Sequence, residues 1–136
     1  MAHETFEELK VYRVAEALSD EIWKVVLTWD NFTRDTVGKQ LVLSADSIGA
    51  NIAAGSGRRS FQENRRFVRR ARGSYNETKH WMRRAFYRKL LSNEQVAILK
   101  PLLDTLSPEL KTYMQSISPS PQAPASEADG PQDPKS

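Results

Sequence analysis

Residues 58–89 read RRSFQENRRFVRRARGSYNETKHWMRRAFYRK. Wound at about 100° per residue, the string separates into two halves. With Arg65 at zero, Val68, Tyr75, Met82, Ala71, Thr78, Phe67 and Ala85 share an arc from about −60° to about −160°. Arg72, Lys79, Arg83 and Arg69 fall between about −40° and +40°. Arg66 and Arg84 lie near about +100°, Arg70 and Arg88 near about +140°. The stretch is predicted to be one helix with a packed half and a basic half. The basic half runs roughly 25 residues, or about 37 Å. Ser60 with Glu63 three residues later marks its start as a capping box.

The other strong periodicities are also helical. Val11, Ala15, Leu18, Ile22, Val25 and Trp29 recur at spacings of four and three, which is one helix face. Thr5 and Glu8 give that segment a capping-box start, and Asp30-Asn31 breaks it. A second segment places Val37, Leu41, Ala45, Ile48 and Ile52 on one face. It is rich in small residues (Ser44, Ser47, Gly49, Ala50, Ala53, Ala54) that let neighbouring backbones approach closely. Gly55-Ser56-Gly57 ends it. The fourth segment is a heptad seam of Val96, Leu99, Leu103, Leu106, Leu110, Tyr113 and Ile117, started by Ser92 and Gln95. Pro101 and Pro108 lie within it. Each is expected to kink the helix or begin a new one, with Ser107-Pro108 as an N-cap and first-turn pair. No segment alternates with period two. The predicted fold is all-α: an up-down antiparallel four-helix bundle over residues 1–117.

Residues 118–136 carry five of the seven prolines and no large apolar side chain. Such a segment buries too little surface to offset its ordering entropy, so a disordered Pro-rich tail is expected. The chain has no cysteine, hence no disulfide or thiolate metal site. It has no run of eighteen apolar residues and no signal-peptide core at Met1-Ala2-His3-Glu4. A cytoplasmic protein with no membrane partner is expected.

The charge is segregated. Residues 58–89 carry twelve basic side chains and two acidic ones, Glu63 and Glu77. Their formal charge is +10 in a chain of only +3, so the remainder sums to −7. Ordinary surfaces mix signs. A concentration of one sign on one face points to a polyanion, nucleic acid above all. Arginine outnumbers lysine ten to two in the stretch. Its planar fork suits phosphate oxygens and stacks on bases. Arg65, Arg69, Arg72, Lys79 and Arg83 are expected to form the central phosphate-contacting stripe. Arg58, Arg59, Arg66, Arg70 and Arg84 would extend it. His80 and Tyr87 lie within the basic half and are the stacking candidates. Phe61 and Trp81 read as core or interface residues, as do Trp23 and Trp29.

Other constellations fall short. Gly55-Ser56-Gly57-Arg58-Arg59-Ser60 looks like a phosphate loop at a helix start. However, Ser60 stands where a third glycine belongs, a helix precedes the loop, and the Gly-Lys-Ser/Thr ending is missing. A phosphate could still rest at the start of the third helix beside Arg58 and Arg59. Glu77-Thr78-Lys79-His80 is a single Glu-x-x-His pair, whereas a di-iron bundle needs two with further inward glutamates. No nucleophile–base arrangement is present, so no metal, no cofactor and no enzymatic activity are expected.

Gln40-Leu41, followed by Ser47-Ile48, Asn51-Ile52-Ala53 and Gly55, resembles the four-helix-bundle family encoded by intervening sequences of 23S ribosomal RNA genes. Its members carry Ser-Ile-x-x-Asn-Ile-Ala-Glu-Gly at the end of the second helix; here Ala54 replaces the glutamate. Phe67, Ala71, Gly73, Ser74, Glu77 and Thr78 are similar to the family's third-helix pattern, and Phe6-Glu7-Glu8-Leu9-Lys10-Val11-Tyr12 to its opening. The resemblance covers about residues 6–117. It implies a homopentamer. Some relatives are accessory proteins of diversity-generating retroelements, which bind a reverse transcriptase and nucleic acid through a basic pentameric barrel. The expected function is a non-enzymatic, homo-oligomeric nucleic-acid-binding protein, with RNA preferred. The alternative is a protein-interaction adaptor whose basic face docks an acidic partner such as a reverse transcriptase. A membrane-surface helix is disfavoured, because the apolar side of the third helix is needed by the bundle.

Overall fold

The computed structural model describes residues 5–117. The expected disordered tail, 118–136, lies outside the described residues. Four helices make up the bundle: α1 (Lys10–Val26), α2 (Lys39–Ser56), α3 (Phe61–Tyr87) and α4 (Asn93–Ser116). There is no strand among the described residues. The helices run up and down in sequence. α1 packs against α2 and α4, α2 makes its most extensive interface with α3, and the α3–α4 seam is the loosest.

The predicted faces form the core. Val11, Ala15, Leu18, Ile22, Val25 and Trp29 are all buried, as are Val37, Leu41, Ala45, Ile48 and Ile52. Val68, Ala71, Tyr75, Thr78, Met82 and Ala85 are the buried residues of α3. On α4, Leu99, Leu106, Leu110 and Ile117 are buried, while Val96, Leu103 and Tyr113 are half-buried. The small residues of α2 allow the close approach they suggested. A methyl group at Gly55 would lie 2.7 Å from both Asn64 Oδ1 and Phe67 Cβ on α3. One at Gly49 would lie 3.3 Å from the Tyr12 ring of α1.

Three helix boundaries differ from expectation. The Thr5 N–H does donate to Glu8 Oε1, at 3.1 Å, but this bond closes only a 3-10 turn, Phe6–Glu8. Leu9 is extended and packs on the core, so α1 starts at Lys10. α2 is entered through a single turn, Asn31–Thr33, capped by Asp30, and then a π-helical stretch, Arg34–Gly38. The wider turn brings Val37 and Gly38 inward against Val26 and Trp29; a Cβ on Gly38 would stand 2.8 Å from Val26 Cγ1. Finally, α4 is one continuous helix through Pro101 and Pro108, and Ser107 lies inside it rather than capping a new start. The prolines deprive the Ala97 and Asp104 carbonyls of helical donors. Close by, α3 supplies donors to α4: Tyr75 Oη gives a 2.8 Å bond to the Leu103 carbonyl and Arg72 bonds the Ser107 carbonyl. Burial pushes the Tyr75 phenol above its usual range.

Candidate nucleic-acid interface

α3 carries the basic band from end to end. Its N-terminus is closed by Ser60, whose hydroxyl accepts from the Glu63 N–H at 3.2 Å. The Glu63 carboxylate does not complete the capping box. It turns to Arg66 Nη2 at 3.2 Å and to Arg58 Nη1 at 4.0 Å. Arg58 is folded back: its Nε donates to the Ala54 carbonyl at 3.3 Å, and its guanidinium lies 4.6 Å from the Phe67 ring centroid. The N-terminal turn of α3 thus holds a carboxylate of its own chain, and Arg59 stands exposed beside it.

The ten residues expected to bind nucleic acid divide by their setting. Arg66, Arg70, Lys79 and Arg83 are exposed along α3, with Arg58 and Arg59 on the preceding turn. Arg65, Arg69, Arg72 and Arg84 are half-buried. Arg72, placed in the central stripe by periodicity, reaches sideways to α4, where Nη1 donates to Ser107 Oγ and Nη2 to the Ser107 carbonyl, each at 2.9 Å. Arg69 shares a small groove with Leu110, Lys111 and Met114 of α4. The side of the stripe near Arg72 therefore lies against α4. The outward centre of the face sits closer to Arg66, Arg70 and Arg83.

Several cations are braced by rings. Arg70 lies over Phe67 at 5.0 Å, Lys79 over Tyr75 at 5.7 Å, and Arg83 over Tyr87 at 4.9 Å. A guanidinium or ammonium held on a ring loses rotamer freedom before any ligand arrives, which lowers the cost of ordering it on a phosphate. Tyr87, a stacking candidate, is exposed and supports Arg83; His80 is exposed and meets Trp81 edge-on at 4.8 Å. Among the described residues no three His, Asp or Glu side chains gather as a metal site.

The four helices and the exposed α3 face can be set beside known families. The profile described as 23S rRNA-intervening sequence protein matches residues 7–112. This chain belongs to that family. The match covers the first three helices and α4 as far as Thr112. Comparison with curated proteins returns no match. The matched range includes the whole of α3, with its basic band, and the Gly55-Ser56-Gly57 end of α2 that precedes it.

Two features of this face have no periodic signal. Phe32 lies in the turn before α2, where no face repeats, and it is 78% exposed. Ser107 as the acceptor for Arg72 depends on how α4 is rotated against α3, which spacing along one helix does not specify. No helix among the described residues is long and apolar enough to cross a membrane.

Proposed function

We propose that this chain is a non-enzymatic nucleic-acid-binding protein, preferring RNA, that works as a homo-oligomer. The observation that carries this reading is the exposed set Arg66, Arg70, Lys79 and Arg83, spread across the half of α3 that is turned away from the bundle core. The set is long, nearly free of acids and partly braced on rings, so it suits a phosphate backbone rather than a compact anion. Oligomerisation repeats the set, and avidity then strengthens contacts that are weak singly. Support for self-association comes from Trp23, Leu27 and Ile98, which are 53%, 54% and 52% exposed. Trp23 and Ile98 line one shallow groove between α1 and α4. Five copies is the number that the family resemblance implies.

The test is a salt titration of binding to RNA and to DNA, with the assembly's mass measured in parallel. Affinity is expected to fall with a log–log slope of about −0.9 per phosphate neutralised on duplex DNA and about −0.7 on a single strand. A flat salt response, or no binding at low salt, sinks the proposal. The adaptor reading gives the basic face of α3 to an acidic protein partner such as a reverse transcriptase instead. It predicts a protein that stays bound after nuclease treatment.

A further inference from the structure

We propose that the groove between the α2 entry turn and the C-terminal end of α3 is a base-binding site for one unpaired nucleotide of a bound RNA. The inference rests on the nucleic-acid reading above and deepens it. The groove measures about 560 Å³, and Phe32, Trp81, Val37 and Leu90 supply its apolar lining. That size falls within the range of small-molecule sites, about 300–1,000 Å³.

Phe32 is the most exposed large apolar side chain among the described residues. It is nonetheless held on a firmly built turn. Asp30 Oδ1 accepts from the Thr33 N–H at 2.8 Å, and the Thr36 hydroxyl donates to the Phe32 carbonyl at 2.7 Å. A ring kept in water on an ordered turn favours a stacking partner. Every nucleobase offers a π-face, and base–ring stacking is a major term in single-strand binding.

The chemistry of the lining favours a nucleotide over an apolar peptide. Arg88 lines the groove, one turn beyond Arg84 on the flank of α3 that also carries Arg66 and Arg70. It can take a phosphate where the basic band ends. Gln40, Thr36 and Asp35 also line the groove and bring donors and acceptors suited to a base edge. The Asp35 carboxylate accepts only, so it suits a base edge that presents amino or imino hydrogens.

Both walls also depart from regular backbone. One is the π-helical stretch Arg34–Gly38, and π-turns occur often at functional sites. The other ends in Lys89, the only non-glycine residue with positive φ among the described residues, at 62°. Such conformations gather at ligand clamps. A base inside a duplex is stacked on its neighbours and cannot enter the groove, so the site reads single strands, bulges or ends.

The experiment compares a short single-stranded RNA with a blunt RNA duplex of equal phosphate count, using wild-type protein, Phe32→Ala and Phe32→Tyr. Phe32→Ala is expected to weaken single-strand binding about tenfold and leave duplex binding unchanged, while Phe32→Tyr retains both. Equal binding of the single strand by Phe32→Ala, or an equal loss on both ligands, overturns the site and leaves the basic band standing. A change in the assembly's mass with Phe32→Ala assigns the ring to a subunit contact and also overturns it. Failure of the wild type to bind either RNA removes the broader reading and this one together.

Discussion

Arg72 of α3 grips Ser107 of α4 with both arms of its guanidinium, Nη1 on the hydroxyl and Nη2 on the carbonyl, each at 2.9 Å. The two bonds bridge the loosest seam of the bundle, one residue before Pro108. Replacing Arg72 with alanine is expected to cost about 2 kcal/mol, since two charge-assisted bonds are lost from a half-buried position. Arg72→Lys recovers little of this, because an ammonium lacks the planar fork. Denaturant titration measures the loss. In the same proteins, nucleic-acid affinity at fixed salt is expected to fall less than in Arg70→Ala or Arg83→Ala, whose side chains are exposed. Equal stability of Arg72→Ala and wild type removes the bridging role.

Gly55 and Gly73 are expected to respond to alanine with opposite signs. At Gly55 the new methyl meets Asn64 Oδ1 and Phe67 Cβ at 2.7 Å, so α2 and α3 must move apart at a cost of about 1–3 kcal/mol. At Gly73, exposed in the middle of α3, nothing lies within 4 Å, and the gain in helix propensity is about 1 kcal/mol. Thermal unfolding of the two variants side by side tests the pair.

Lys89 ends α3 in the left-handed region, with φ at 62°. The Leu90 N–H bonds the Ala85 carbonyl at 2.9 Å and the Lys89 N–H that of Phe86 at 3.0 Å, a Schellman ending usually given to glycine. Lys89→Gly is expected to raise stability by about 1 kcal/mol, and Lys89→Ala to give no such gain. A drop in melting temperature with glycine contradicts the strain argument.

Asp30 supplies a pH dependence. Its carboxyl is held below the ordinary aspartate value of 3.8, first by the Thr33 backbone N–H and next by the Thr33 side chain. A depressed folded value means that the cap stabilises fully above the ordinary value and is lost as pH falls through it towards the folded one. Asp30→Asn keeps a capping oxygen that does not titrate. The stability difference between wild type and Asp30→Asn is therefore expected to shrink as denaturation is followed from neutral pH into acid. A difference that stays constant over that range rules out the linkage.

The four helices, their inward faces and the basic half of α3 follow from spacing alone. Val11 to Trp29 and Val68 to Ala85 fell inside because apolar residues at helical period leave one face that must be buried. The charge excess between Arg58 and Lys89 is likewise a property of order along the chain. Spacing within one helix does not state how that helix is rotated against the next. Only the assembled bundle assigns Arg72 to Ser107, bringing one side of the central stripe against α4 and leaving Arg66, Arg70 and Arg83 facing outward. The same limit applies to α4, where proline chemistry alone leaves a kinked helix and a new start both open, and the structure gives one helix with Ser107 inside it. It applies again to Phe32 and Trp81, which lie far apart in the chain and meet at one groove because the π-helical turn opens α2 beside the end of α3. Sequence order determines which residues must be buried or charged; contacts between helices decide which charged and aromatic groups remain available to a ligand.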